Sequence, residues 1–201
     1  MDTIFSDTPT ALHVSFLIMA LPVSEGSSIR RALIRILEGM EIQTVRQART
    51  LAALKGARSE NIDFGNLTRL EVRGQCSLIV DAVHLRLPLP ELCATLARFA
   101  VSEQAKSIGV DGLVLWLAPT APISNRAALT SLVWRRVVPK EYRDGYSFRA
   151  IAKKCGSSRS TLQRAADWLD DEAGGLELRA LRRLEESFVP HGVCRAMAMQ
   201  S

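Results

Sequence analysis

Apolar residues recur along this chain at spacings of three and four, and almost nowhere alternate at spacing two, so the pattern predicts helices throughout. Thr8-Pro9 reads as a helix start, with Thr8 as cap, and the run from Ala11 through Val14, Phe16, Leu17, Ile18 and Leu21 is apolar on most sides. A second helix is expected after Ser27 or Ser28, with Ile29, Leu33, Ile36, Leu37 and Met40 as its stripe. A third is expected over 44–55, stopped at Gly56, before a polar loop at 57–66. Thr68-Arg69-Leu70-Glu71 is a capping box ahead of a long amphipathic helix that buries Val72, Cys76, Ile79, Val83 and Leu87. Pro88-Leu89-Pro90 breaks it, and a helix over 91–101 buries Leu92, Leu96 and Phe99. A short polar stretch then leads to Gly112 and the apolar turns 113–117. The segment 119–124 (PTAPIS) is the expected domain boundary. Ser124 is placed to cap a helix over 125–138 with Leu129, Leu132 and Val133 on its inner side, and Pro139 ends it.

The sharpest local signal follows. Ser147 can cap a short helix carrying Ile151, Ala152 and Cys155 on one side. Gly156 suits the left-handed residue that ends such a helix, and Ser157 and Ser158 offer a new cap at once. The next helix buries Leu162, Ala165, Ala166 and Leu169 and turns Arg159, Ser160, Gln163 and Arg164 outward. Two short helices joined at such a turn are the pattern of a helix-turn-helix, whose second helix enters the major groove of DNA. Gly174-Gly175 is expected to stop that helix. A last one over 176–188 carries Leu178, Leu181, Leu184 and Phe188, and the tail from Pro190 is expected to be loosely held.

Composition agrees with a helical protein: 47% of residues are hydrophobic but only 5% aromatic, leaving Leu, Ala, Ile and Val to fill the core. Charge is distributed unevenly. Residues 1–118 hold 12 Lys and Arg against 12 Asp and Glu, so the whole net charge of +5 lies in residues 119–201. Between Arg126 and Arg164 there are 10 basic residues and two acidic ones, Glu141 and Asp144. Such a field attracts phosphates and makes binding salt-dependent.

Within the helix-turn-helix, Arg159, Ser160, Gln163 and Arg164 are the expected base readers: Arg can bond guanine twice, Gln adenine twice, and Ser either. Arg149, Lys153, Lys154, Ser158 and Thr161 are the expected phosphate contacts. No catalytic or metal site is expected. There is no P-loop, G-x-S-x-G or H-E-x-x-H, and Cys76, Cys93, Cys155 and Cys194 stand far apart without C-x-x-C spacing. Cys76, Cys93 and Cys155 sit in apolar stretches and read as buried thiols of a reducing cytoplasm, and no cofactor is implied. Asp170-Asp171-Glu172 is the densest acidic run, oddly placed toward the C-terminal end of the expected recognition helix. The apolar run 11–23 is preceded by Asp2 and Asp7 rather than by Lys or Arg, and it is too short to span a bilayer; it reads as a core helix.

From Leu132 to Ala166 the chain resembles sigma-factor region 4. More particularly it is similar to phage late-gene antitermination proteins of the Q type. The matching elements are Leu132, Val133 and Val137, then Gly145-Tyr146-Ser147-Phe148, Ile151-Ala152, Cys155, Ser158 and Leu162-Gln163-Arg164-Ala165. The resemblance implies a phage or prophage regulator that binds DNA near a promoter and acts with RNA polymerase.

The expected protein is therefore all-α and not an enzyme, with a helical, charge-neutral protein-contact domain at 1–118, a basic helix-turn-helix domain at 119–190 and a tail at 191–201. Its expected role is sequence-specific binding of double-stranded DNA in transcription regulation. RNA polymerase or a second copy would be the partner of the first domain, with no membrane involved. Two other classes stay open: a factor of phage recombination, packaging or replication, and a helical interaction module without DNA binding.

Overall fold

The computed structural model describes residues 3–21, 62–65 and 67–195. These form seven α-helices: α1 (Thr8–Ala20), α2 (Arg69–Arg86), α3 (Leu89–Phe99), α4 (Glu103–Leu117), α5 (Arg126–Val137), α6 (Phe148–Cys155) and α7 (Arg159–Phe188). Among the described residues the only β-type pairings are two isolated bridges on Phe5, to Ile62 and Cys194, so the fold is all-α. None of these helices is long and apolar enough to cross a membrane. The helices expected at 28–40 and 44–55 lie outside the described residues.

Two compact units are formed, one by Met1–Arg86 with Leu181–Ser201 and one by Leu87–Ala180. The expected boundary at 118–119 falls inside the second unit. The reason is that α3 packs on α4 and α4 on α5, so Val110, Leu113, Val114 and Leu117 join Leu129, Leu132 and Val133 in one buried cluster.

In the first unit α1 packs against α2. The cap of α1 is Asp7 rather than Thr8: its Oδ1 accepts from the Thr10 N–H at 2.6 Å, while the Thr8 hydroxyl meets the Cys194 thiol at 3.4 Å. The capping box of α2 forms as its sequence indicates. The Thr68 N–H and hydroxyl donate to Glu71 Oε2 at 2.7 and 2.6 Å, and these bonds hold the Glu71 carboxyl below its ordinary pKa. Arg73 reaches across to the open end of α1, donating to the carbonyls of Ile18 and Leu21 at 3.1 Å each. Val72, Cys76, Ile79 and Val83 are buried, and burial pushes the Cys76 thiol up to about 11. The stretch after α7 is held, not loose, as far as Arg195. The Val193 carbonyl accepts from the Phe5 N–H at 2.9 Å, and Cys194 is fully buried.

In the second unit, two pairs of glycines lie inside helices. The stretch read as polar, 103–112, is the first part of α4. Ser102 caps it by accepting from the Ala105 N–H at 3.3 Å, and Gly109 and Gly112 lie where α4 meets α3. Gly174-Gly175 does not stop α7, which runs on to Phe188. Neither glycine has a positive φ, and the buried series Leu169, Ala173, Leu176, Ala180 passes through them without a change of spacing. A methyl at Gly174 or Gly175 would meet only arginine ends, at 3.9 and 3.6 Å. Gly174→Ala and Gly175→Ala are therefore expected to stabilise the protein, by about 0.5–1 kcal/mol each. Gly156→Ala, at φ 66°, is expected to destabilise it by about 1–2 kcal/mol. Thermal melting of the three variants checks the signs.

Candidate nucleic-acid interface

The candidate interface is built on three helices of the second unit. Asn125, one residue after the expected Ser124, caps α5, its Oδ1 accepting from the Ala128 N–H at 3.1 Å. Its Nδ2 donates to the Cys155 carbonyl at 3.2 Å, tying the start of α5 to the end of α6. After Pro139 the chain makes two 3₁₀ turns, Lys140–Tyr142 and Asp144–Tyr146, before α6. Ser147 caps α6, accepting from the Ala150 N–H at 3.2 Å. Gly156 closes it in the left-handed region, and its N–H returns to the Ala152 carbonyl at 2.9 Å. Ser158 opens α7 by accepting from the Thr161 N–H at 3.1 Å.

This turn is held from below by burial. Leu129, Leu132 and Val133 of α5, Ile151 of α6, and Leu162, Ala165 and Leu169 of α7 share one core, with Ala152, Cys155, Ala166 and Phe148 packed against it. Cys155 is half-buried rather than buried. With its inner stripe committed to this core, the first two turns of α7 show their other side to solvent. Arg159, Ser160, Gln163 and Arg164 are all exposed, one turn apart in pairs along that side. Arg149 and Lys153, also one turn apart, are exposed on α6 with Lys154.

The hydroxyls expected to meet phosphates stand differently. Ser158 Oγ is taken up by its cap and lies 2.8 Å from the half-buried Thr161 Oγ1 and 3.0 Å from Ser160 Oγ. Gln163 is oriented by its own helix: its Nε2 donates to Asp167 Oδ1 at 2.9 Å, leaving the amide oxygen and one N–H outward. That is the donor–acceptor pair an adenine edge requires.

Several residues that shape this surface have no local signal in the sequence. Arg136 of α5 donates to Asp170 Oδ1 at 2.9 Å and to the buried Glu177, which also pairs with Arg98 of α3. This pairing explains Asp170, the first residue of the oddly placed acidic run. Burial alone would pull the Arg136 pKa down, but the bonds and charges of Glu177 and Asp170 push it up, so its guanidinium stays charged. Arg135 lies over the Phe148 ring at 4.2 Å and donates to the Tyr146 carbonyl at 3.2 Å. Trp134 stacks on Tyr146 with ring centroids 6.3 Å apart. Arg143 is turned back by a bond from its Nε to the Val138 carbonyl at 3.0 Å. Among the described residues no group of three or more His, Cys, Asp or Glu is arranged around a common point that could take a metal ion.

No family model matches the chain, and no curated protein matches it.

Proposed function

We propose that the protein binds double-stranded DNA sequence-specifically in transcription control, with α6 and α7 acting as a helix-turn-helix. The observation that carries this reading is the edge of α7. A left-handed Gly156 and a Ser158 cap set the helix, its inner stripe is buried, and two exposed arginines, a serine and a pre-oriented glutamine project from its first two turns. Arg159, Ser160, Gln163 and Arg164 would read bases, and Arg149, Lys153 and Lys154 would hold phosphates, with Ser158 and Thr161 contributing through the helix start.

The resemblance to sigma region 4 and to Q-type antitermination proteins makes RNA polymerase the favoured partner, in the cytoplasm of a bacterial or phage-infected cell. A second copy of the chain is the alternative. The protein contact expected of residues 1–118 falls in this reading on α4, within the second unit. It is supported by the exposed Ile108, Leu115 and Trp116, which fall at helical spacing on α4.

Selection of bound sequences from a random duplex pool tests the proposal. Arg159→Ala and Gln163→Ala are each expected to relax preference at one base position, at a cost of about 1–3 kcal/mol. Lys153→Ala is expected to weaken all sequences alike and reduce the salt slope by about 0.9. A preference altered by Lys153→Ala but not by Gln163→Ala would show that the register of the reading helix is wrong.

A further inference from the structure

We propose that Arg135 and Arg143 form a second phosphate-binding site, beside the base-reading edge of α7, that takes a backbone phosphate of the same duplex. The inference rests on the DNA-binding reading and extends it to residues outside the helix-turn-helix.

The site is a polar cleft of about 390 Å³ lined by Arg135 and Arg136 of α5, by Arg143, by Phe148 at the start of α6, and by Gln163 and Asp167 of α7. Its charges are not equivalent. Arg136 is matched by Glu177 and Asp170. Arg135 and Arg143 have no carboxylate within ion-pair distance among the described residues, and each is held by a backbone carbonyl instead. The carboxylates on the α7 wall are engaged elsewhere, Asp170 with Arg136 and Asp167 with the Gln163 amide.

Two guanidinium groups are thus fixed in one cleft without an ion-pair partner of their own, although Asp170 on the cleft wall lends Arg135 some opposing charge. Partial burial, and then the charge of Arg143, pull the Arg135 pKa down against the opposing charge of Asp170. An anion between them would relieve that repulsion, and the guanidinium forks suit a phosphate oxygen pair. The position selects the kind of phosphate. Gln163 lies on the cleft wall, so a duplex whose bases meet Gln163 carries its backbone past this opening. In a helix-turn-helix the helix before the recognition helix crosses the backbone, and Phe148 is the first residue of that helix here.

The test is the salt dependence of binding by the full chain to a duplex selected from a random pool, measured by fluorescence anisotropy. Arg143→Gln is expected to weaken selected and scrambled duplexes by the same factor and to reduce the slope of log K against log salt by about 0.9. Lys140→Gln removes the same charge from an exposed side chain three residues away, outside the cleft, and is expected to move the slope much less. Arg135→Gln should behave like Arg143→Gln, and Arg135→Lys should keep most of the slope. If Arg135→Gln fails to fold, Arg143→Gln carries the test, because its side chain is anchored by one backbone bond.

Equal slopes for Arg143→Gln and Lys140→Gln would overturn the proposal while leaving DNA binding in place. A second arm compares thermal stability in inorganic phosphate and in chloride at equal ionic strength. Phosphate stabilisation lost in Arg143→Gln, with its DNA slope unchanged, would assign the cleft to a free anion and overturn the backbone contact. Failure of the unaltered chain to bind any duplex would instead remove the functional reading on which the site rests.

Discussion

Gly109→Ala is expected to be among the most damaging single-methyl additions to the second unit. A Cβ built at Gly109 falls 2.8 Å from Leu96 Cβ and 2.9 Å from the Cys93 carbonyl oxygen, and closer still to the Ala97 backbone nitrogen. Two of these three atoms are backbone, so no rotamer change makes room; α3 and α4 must separate. Overpacking a core usually costs about 1–3 kcal/mol, and a backbone obstacle places this substitution at or above the top of that range. Gly112→Ala differs instructively, because its Cβ would strike the Cys93 thiol, a side chain. Combining Gly112→Ala with Cys93→Ala should therefore cost less than the sum of the two single changes. Urea denaturation of Gly109→Ala, Gly112→Ala, Cys93→Ala and the double variant checks both statements. A midpoint for Gly109→Ala equal to that of the unaltered chain would mean that α3 and α4 are not packed this closely.

The second large effect is expected at Glu177. Its side chain is 3% exposed and joins Arg98 of α3 to Arg136 of α5. Removing it leaves Arg136, itself only 19% exposed, without its buried counter-charge. Breaking one partner of a buried pair typically costs about 3–5 kcal/mol, most of it the penalty of the orphaned ion. Glu177→Ala is expected in that range, and Glu177→Gln somewhat below it because one acceptor oxygen remains. Asp170→Asn is the control. It touches the same arginine, but its side chain is 65% exposed, so solvent screens the pair and the loss should be under about 1 kcal/mol. Equal losses for Glu177→Ala and Asp170→Asn in chemical denaturation would show that Glu177 is not what holds α3 and α5 to α7.

These two sites also show what the sequence does and does not reveal. The turn between α6 and α7 is legible because each of its signals is local: Ser147, Gly156 and Ser158 act within four residues of themselves. The Thr68–Glu71 capping box is legible for the same reason. Glycines are not legible in that way. Gly109 and Gly112 carry no local sign of the close helix crossing they allow, and Gly174-Gly175 looks like a stop but lies in an unbroken buried stripe. Only the partner helix, or its absence, distinguishes these cases, and nothing within a few residues encodes it. The Glu177 network is further out of reach, with partners 79 and 41 residues away in sequence. Of the candidate interface, the exposed edge Arg159, Ser160, Gln163 and Arg164 follows directly from helical period. The cleft arginines Arg135 and Arg143 do not, since their placement depends on the two 3₁₀ turns after Pro139.

The most direct test of the central claim is a binding titration of the whole chain against a selected duplex and a scrambled one of equal length, repeated over a range of salt. The expected result is affinity that falls linearly on a log–log plot against salt for both duplexes, with the selected one bound at least about 1,000-fold more tightly throughout. That ratio should shrink in Arg159→Ala and Gln163→Ala. Absence of binding at low salt, or equal affinity for selected and scrambled duplexes, would contradict sequence-specific DNA recognition by α7.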